Sequence, residues 1–155
     1  RYVIKDEGDL QLYKDVLLED IDLNKNTSPL HFLQDDAMKL KKKFSDYDVI
    51  LAFNLLEELQ NPTAFLSTIH ERLNENGTLI LGSTYEWKDS ISHKDNWVGG
   101  VKKNGEPVKS IEGISDILSS HFTLVSQPFN LQYATRKSSR NFEVNNSEVS
   151  IWRKK

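Results

Sequence analysis

The run YDVILAF, residues 47–53, is the stretch of sequence that decides the fold. A nearly continuous apolar run is typical of a central parallel strand, which is covered on both of its faces. A second such run, TLIL at residues 78–81, follows a segment with helical periodicity. This order of strand, helix and strand predicts a parallel α/β sheet with right-handed crossovers.

The segment between the two runs carries the signals of a helix. Asn61 is suited to cap it, and Pro62 would occupy the first helical position, where proline costs least. Four apolar residues then fall on one helical face, namely Phe65, Leu66, Ile69 and Leu73. Asn76-Gly77 is predicted to end the helix, with Gly77 in a left-handed conformation.

The first 46 residues contain weaker signals. Arg1–Lys5 and Leu10–Val16 alternate apolar with polar residues around a turn at residues 6–9, which predicts a small hairpin. Residues 17–30 are polar and resemble a loop. His31–Gln34 is predicted to be another buried strand, and Ala37–Phe44 a short helix whose wet face carries the lysines. We therefore divide this part into a hairpin and loop region, 1–30, and strand–helix–strand units, 31–83.

The last two regions are an excursion, 84–109, and a closing region, 110–155. The excursion is long, contains Trp87 and Trp97, and interrupts the alternation, which favours an ordered, functional loop. In the closing region, Ser110 can cap a helix with four apolar residues on one side, Ile111, Ile114, Ile117 and Leu118. Phe122–Phe129 and Glu148–Arg153 are predicted to form a final antiparallel strand pair, with a polar segment at residues 136–146 between them.

Composition narrows the classes of function. The 155 residues suffice for one domain, and a formal net charge of −3 argues against a nucleic-acid binder. The absence of cysteine excludes disulfides, thiolate metal sites and a cysteine nucleophile, and it is compatible with a cytoplasmic location. The four histidines lack metal-ligand spacing, so we predict no metal. No apolar run reaches the ~20 residues of a membrane span, so no membrane partner is expected.

The closing strand pair and three motifs resemble a class I methyltransferase that uses S-adenosyl-L-methionine. The motifs are QDDA at residues 34–37, YDVILAFNLLEEL at 47–59 and RLNENGTLIL at 72–81. The resemblance implies a Rossmann-like sheet, of which this chain would supply the C-terminal part. It also implies the strand order third, second, first, fourth, fifth, seventh, sixth.

A closer resemblance covers nearly the whole chain. NWVGG at 96–100, GEPV at 105–108, PF at 128–129, RK at 136–137 and VSIWR at 149–153 are similar to the C-terminal methyltransferase domain of ovothiol-synthesis enzymes. RY at 1–2 and EGDL at 7–10 look similar too. The resemblance implies transfer of a methyl group to an imidazole nitrogen of a thiolated histidine, in the manner of a 4-mercaptohistidine N1-methyltransferase.

The sequence also departs from that family. Gln132-Tyr133 stands where the family has Arg-Glu, and the last connection, Ser138–Ser147, looks longer. No Gly-x-Gly occurs, so the family's glycine-rich turn would lie upstream of Arg1. We therefore expect residues 1–155 alone to bind the cofactor weakly and to be inactive. We also expect the sheet to be rearranged, covered by a second copy of the chain, or open at the edge of the 47–53 strand. The expected partners are a small, histidine-like substrate, the missing upstream part of the same domain and a second copy in a homodimer.

Five residues follow predicted strands at the edge where such folds bind ligands, and the resemblance implies that they bind the cofactor. They are Asp35, Asp36, Ala37, Asn54 and Leu55. Asp36 could accept a hydrogen bond from the adenine amino group. Alternatively, Asp35 or Asp36 is a helix N-cap, and Asn54 caps a turn at the end of its strand.

The acceptor side would come from the excursion and from the last connection. Tyr85 and His93 are the candidate catalytic bases, while Trp87 and Trp97 could stack on a flat imidazole. Arg136 could pair with the carboxylate of a histidine-like substrate. The alternatives are that the aromatic residues only pack the excursion, that Arg136 lies in a solvated loop, and that His93 is a surface residue.

Two further hypotheses stay open. One is a class I methyltransferase acting on another small molecule, which the Gln132-Tyr133 departure supports. The other is a degenerate, non-catalytic domain of the same fold that serves as a scaffold.

Overall fold

A computed structural model describes residues 1–21 and 30–155 of the chain. Contacts divide the chain into two units, Arg1–Gln34 with Gln132–Asn145, and Asp35–Leu131 with Asn146–Lys155. The strands are β1 Tyr2–Lys5, β2 Gln11–Lys14, β3 Tyr47–Phe53, β4 Leu73–Ser83, β5 Val101–Lys103, β6 Glu106–Val108, β7 Phe122–Leu124, β8 Phe129–Arg136 and β9 Phe142–Lys154. The α-helices are α1 Pro62–Thr68 and α2 Ser110–Leu118. Short 3-10 helices span Leu18–Ile21, Ala37–Lys39, Leu56–Glu58, Ile69–Arg72 and Lys94–Asn96.

The main sheet has the order β3-β4-β9-β7, and β8 pairs with β9 off this path. β3 and β4 are parallel, whereas β9 is antiparallel to both β4 and β7. This order matches the fourth, fifth, seventh and sixth strands of the expected sheet. The prediction of a Rossmann-like α/β fold with a final antiparallel pair is confirmed. Among the described residues, β3 is the edge strand, so the sheet is open there.

The helix between β3 and β4 begins as predicted but ends early. The Asn61 side chain accepts a hydrogen bond from Ala64 N–H, and Pro62 is the first helical residue. The last turns carry serine and threonine hydroxyls that bond back to carbonyl oxygens, and the helix continues only as a 3-10 turn. Asn76-Gly77 therefore lies inside β4 rather than at a helix end, and Asn76 takes the positive φ of 61°. Tyr47 pairs with Leu73 but Val49 pairs with Thr78, so residues 74–77 form a bulge.

The core lies on one face of the sheet. The alternating side chains of β3, β4 and β9 on this face pack against α1 and α2, and the buried cluster includes Ala52, Leu79, Leu81, Trp152, Phe65, Leu66, Ile114 and Leu118. The other side chains of β3 are exposed, Val49 at 53%, Leu51 at 65% and Phe53 at 42%. The expectation that β3 is covered on both faces is thus wrong for the described residues.

Two predicted elements before β3 are absent. His31–Gln34 forms no strand, pairs with no described strand, and exposes Phe32 and Leu33. Without a neighbour, the backbone groups of a strand have no ladder partner. Ala37–Phe44 forms only the three-residue 3-10 helix, since the segment is short and its lysines, at helical spacing, repel one another.

The predicted hairpin at the start of the chain is confirmed, with Tyr2 opposite Lys14 and Lys5 opposite Gln11. The predicted loop 17–30 begins with a 3-10 turn, and its residues 22–29 lie outside the described residues. The predicted polar segment 136–146 is largely strand, because β8 runs to Arg136 and β9 starts at Phe142. No helix within the described ranges is long and apolar enough to cross a bilayer.

Candidate functional site

The carboxyl ends of β3 and β4 meet at one edge of the sheet, where open α/β folds bind ligands. Asn54 follows β3 with a φ of 49°, and its N–H donates to the Gly82 carbonyl oxygen over 2.7 Å. Its side-chain oxygen accepts a hydrogen bond from the Ser147 hydroxyl at 3.1 Å. Asn54 thus takes a left-handed backbone conformation that places its amide at this edge. Such conformations of residues other than glycine are concentrated at functional sites.

A buried carboxylate, Glu57, holds the end of β4. Its Oε2 accepts from the Ser83 hydroxyl at 2.7 Å, and its Oε1 accepts from the Thr84 hydroxyl at 3.1 Å and the Thr84 N–H at 3.3 Å. Glu57 is only 5% exposed, and a buried carboxylate is tolerated only with such compensation. Glu57 therefore clamps the turn that leads from β4 into the excursion.

Tyr85 leaves that turn in a strained conformation. Its φ is 55°, which is rare for an aromatic residue, and its N–H donates to the Ser83 hydroxyl oxygen at 3.0 Å. The Glu148 carboxylate lies near the Tyr85 hydroxyl. Burial, and then the Glu148 and Glu57 carboxylates, raise the pKa of this hydroxyl above its ordinary value of 10. Tyr85 is thus a neutral hydrogen-bond donor near neutral pH.

The two excursion tryptophans continue from Tyr85 as a stack. The ring centroids lie 6.5 Å apart between Tyr85 and Trp87, and 6.3 Å apart between Trp87 and Trp97. The Trp87 indole N–H donates to the Ser110 hydroxyl at 2.9 Å, which anchors the stack to α2. Ser110 therefore serves this contact, and the N-cap of α2 is Lys109 rather than the predicted Ser110.

Glycine lets the excursion lie directly on α2. A Cβ on Gly113 would stand 1.5 Å from the Val98 carbonyl oxygen, so no other residue fits without moving the backbone. Val98 itself is buried in the core. The excursion is consequently an ordered part of the second unit, as its tryptophan content predicted.

A polar cavity of about 360 Å³ opens beside Tyr85. Its lining comes from the end of β4, the excursion, α2, β8 and β9, and comprises Ser83, Thr84, Tyr85, Gly100, Lys109, Ser110, Ile111, Asn130, Asn146 and Glu148. Trp97 instead lines a separate, more open depression with Lys94, Asp95 and residues 100–103. The structure thus places Tyr85 in the cavity wall, while Trp87 stacks on Tyr85 without lining the cavity and Trp97 stacks on Trp87.

The other two predicted acceptor-side residues lie elsewhere. His93 caps the 3-10 turn at Lys94–Asn96, is largely exposed, and has its Nδ1 3.2 Å from the Asp95 carboxylate. It is not among the residues that line the Tyr85 cavity. Arg136 belongs to the first unit, where its guanidinium lies 4.8 Å from the centre of the Phe142 ring. Their predicted roles as a base and a substrate clamp stay predictions.

The predicted adenine-binding residues occupy a fixed turn before β3. Asp36 Oδ1 accepts the Met38 N–H at 2.9 Å, so Asp36 is an N-cap, as the alternative interpretation proposed. Asp35 Oδ1 accepts the Asp36 N–H at 3.1 Å. Ala37 packs against the core, as does Leu55 after β3. These contacts fix the turn in place; Asp36 is exposed, whereas the Asp35 side chain is only 22% exposed and has Lys41 Nζ 3.8 Å away.

Sequence reasoning missed Glu57 and Glu148. Glu57 lies within the fourth-strand motif, directly after an apolar run, where a charged residue that becomes buried is unusual. Glu148 is placed by its pairing with Ser83 across β4 and β9, and this register is not visible in the sequence. In the described ranges, no three His, Asp or Glu side chains lie close enough together to hold a metal ion.

Comparison with known proteins identifies the family. A family model described as a methyltransferase domain matches residues 12–117, more than half of the chain. The chain belongs to this methyltransferase-domain family. No curated protein matches it at a significant level.

Solved structures similar to this methyltransferase domain have low sequence identity. A SAM-dependent methyltransferase from Methanosarcina mazei has a TM-score of 0.55 and 16% identity, over 85% of this chain and 71% of that one. The N-methyltransferase NodS from Bradyrhizobium japonicum, in complex with S-adenosyl-L-homocysteine, has a TM-score of 0.52 and 17% identity, over 90% and 64%. The [4+2]-cyclase SpnF has a TM-score of 0.50 and 14% identity, over 88% and 60%.

These similarities establish the fold of the methyltransferase domain and leave its reaction open. The chain spans less than two thirds of the length of NodS and of SpnF. A cyclase among the neighbours illustrates that this fold supports more than one chemistry. The reaction of the present chain must therefore be argued from its own residues.

Proposed function

We propose that this methyltransferase domain transfers a methyl group from S-adenosyl-L-methionine to a nitrogen of a small, histidine-like acceptor, with thiolated histidine in ovothiol synthesis as the leading candidate. The observation that carries the proposal is the strained edge where β3 and β4 end. Asn54 and Tyr85 both hold positive φ values there, beside a polar cavity of about 360 Å³. The family match and the NodS neighbour, a methyltransferase bound to S-adenosyl-L-homocysteine, support it.

The turn at residues 35–37 has the chemistry to hold the adenosyl group. Asp36 uses Oδ1 for its cap, but a carboxylate has lone pairs for further donors such as an adenine amino group. The Arg72 guanidinium donates to the Leu40 and Lys41 carbonyl oxygens, which fixes the segment after the turn. An exposed Asp36 carboxylate on a fixed turn fits the group, so Asp36 would bind the base, with Asp35 beside it, and Asn54 would line the cleft.

When bound, S-adenosyl-L-methionine supplies a methyl group on a sulfonium, an electrophile whose displacement needs alignment and exclusion of water more than acid or base catalysis. The part of this chain is therefore to orient the acceptor nitrogen. Asn54, Tyr85 and Trp87 are held by the hydrogen bonds described above, so they offer a rigid surface for that purpose. His93, as an exposed residue, would act only if the acceptor reached it.

Mass spectrometry tests the proposal. The complete natural polypeptide that carries these residues is incubated with S-adenosyl-L-methionine and thiolated histidine, histidine or an unrelated amine. We expect a product heavier by one methyl group with thiolated histidine. Methylation of the unrelated amine but not of thiolated histidine would show that the acceptor is a different small molecule. A lack of both cofactor binding and product would refute the proposal.

A second candidate is a non-catalytic domain that acts through a partner, and the open, apolar edge of β3 favours it. Leu51 and Val49 are more than half exposed there, and an unpaired apolar edge is prone to association. In that case residues 1–155 should bind S-adenosyl-L-homocysteine weakly or not at all and should associate. Micromolar binding by the monomeric chain would contradict this candidate, and it would also contradict the expectation that the isolated chain binds the cofactor weakly.

A further inference from the structure

The cavity beside Tyr85 has a carboxylate on one side. Glu148 stands opposite Ser83 in the pairing of β9 with β4, and Ser83 is itself held by Glu57. The position of Glu148 is therefore set by the central strands of the sheet rather than by a loop. Its side chain is half-buried, lies near the Tyr85 hydroxyl and lines the same cavity as Tyr85.

Tyr85 is the aromatic residue of the cavity lining, and Trp87 supports its ring from outside that lining. Tyr85 stacks with Trp87, and the Trp87 indole is bonded to Ser110, which also lines the cavity. An aromatic face next to a carboxylate complements a flat ring that carries an N–H group or a positive charge. The carboxylate accepts the hydrogen bond, and the ring face attracts the cation.

The remaining polar lining is consistent with a small, polar ligand. Asn130 and Asn146 present amides, and Lys109 presents the one cationic side chain of the cavity lining. A ligand with a carboxylate as well as a nitrogen base would therefore find a partner for each charge.

We propose that Glu148 and Tyr85 form the binding site for the N–H-bearing nitrogen base of the methyl acceptor, with the Tyr85 ring as its stacking surface. This inference rests on the proposed function only in calling the ligand a methyl acceptor. The binding site itself can be tested without any cofactor. Glu148 then selects ligands that donate a hydrogen bond or carry positive charge.

Nuclear magnetic resonance of the indole N–H groups tests this site in the 155-residue chain. The probes are imidazole and L-histidine, and the Trp87 signal is identified by its loss in Trp87→Phe. We expect a saturable shift of the Trp87 signal but not of the Trp152 signal, because Trp152 is buried in the core and bonded to Ser150. Glu148→Gln should weaken binding of both probes about tenfold, the usual effect of losing a charged hydrogen-bond partner.

Glu86→Gln is the matched control, because Glu86 is exposed, neighbours Tyr85 and does not line the cavity. It should leave both dissociation constants within about twofold of the parent. Tyr85→Phe keeps the ring and should weaken binding less than Glu148→Gln does. If Glu148→Gln loses the native Trp152 signal and therefore does not fold, Tyr85→Phe tests the site in its place.

The proposal is overturned if the parent shows no saturable Trp87 shift, if Glu148→Gln and the parent bind equally, or if Glu86→Gln weakens binding as much. Titration of the complete natural polypeptide with S-adenosyl-L-homocysteine separates this result from the proposed function. If the polypeptide binds the cofactor and transfers methyl groups but Glu148→Gln does not change binding of imidazole, only the assignment of the acceptor site is refuted. Glu148-dependent imidazole binding without any methyl transfer would keep the site and remove the proposed function.

Discussion

Replacing Glu57 by alanine should destabilise the fold and release Tyr85 from its strained conformation. The Glu57 carboxylate is 5% exposed and accepts three hydrogen bonds, from the Ser83 hydroxyl and from the N–H and hydroxyl of Thr84. The variant leaves these donors without their acceptor. Stranding a buried donor costs about 1–3 kcal/mol.

The expected loss is about 3 kcal/mol rather than three full penalties. Ser83 is buried, but Thr84 is partly exposed and water can satisfy some of its lost hydrogen bonds. Relaxation of Tyr85 from its positive φ recovers about 1 kcal/mol. Glu57→Gln keeps one acceptor oxygen, so it should lose only about 1 kcal/mol.

Urea unfolding followed by circular dichroism measures the free energy of unfolding, and the Trp87 indole signal reports on the site. Glu58→Ala is the matched control, because Glu58 is exposed and lies 4.0 Å from Lys88 as a weak ion pair. If Glu57 stabilised the fold without positioning Tyr85, Glu57→Ala would lower the free energy of unfolding and leave the Trp87 signal of the folded chain unchanged. A loss below about 0.5 kcal/mol in Glu57→Ala, or an equal loss in Glu58→Ala, would refute the clamp.

Three other predictions concern separate parts of the second unit. Asp36→Ala should weaken cofactor binding in the complete polypeptide by about 1–3 kcal/mol, and calorimetry that shows equal affinity would remove Asp36 from the site. Gly113→Ala should destabilise the chain by about 3 kcal/mol in urea unfolding, because its Cβ would meet the Val98 carbonyl oxygen at 1.5 Å; a neutral effect would contradict this packing. Burial, and then His121 stacked 3.7 Å away, hold the pKa of His70 below 6.5. The unfolded state therefore binds more protons just below pH 6.5, so stability should fall as the pH drops through that range, and less in His70→Gln.

The middle of the fold could be predicted because its signals are local. An apolar run marks β3, Asn61 and Pro62 mark the start of α1, and the spacing of isoleucines marks α2. The errors arise where a structure depends on distant partners. His31–Gln34 has the composition of a strand but no described strand pairs with it. β9 is longer than predicted because Phe142 and Val144 alternate with polar residues, a weak signal that only pairing with β8 turns into a strand.

The site was predictable to the same extent. Asn54 and Tyr85 follow strands, so the rule that ligands bind at the carboxyl edge of a parallel sheet points to them. Glu57 and Glu148 have no comparable signal. Glu57 accepts a hydrogen bond from Ser83, and Glu148 pairs with Ser83 across β4 and β9. Both contacts form only after β4 has taken its place in the sheet.

The choice of substrate in this methyltransferase domain depends on side chains at the edge of its sheet. Its sheet is similar to those of methyltransferases and of a cyclase, so the sheet itself does not select a chemistry. The edge of this sheet carries two carboxylates near Tyr85. Glu57 is buried and accepts three hydrogen bonds, whereas Glu148 is half-buried and lines a cavity. If Glu148 binds the acceptor as proposed, substitutions there should change which ligand binds, while substitutions at Glu57 should change whether the site forms.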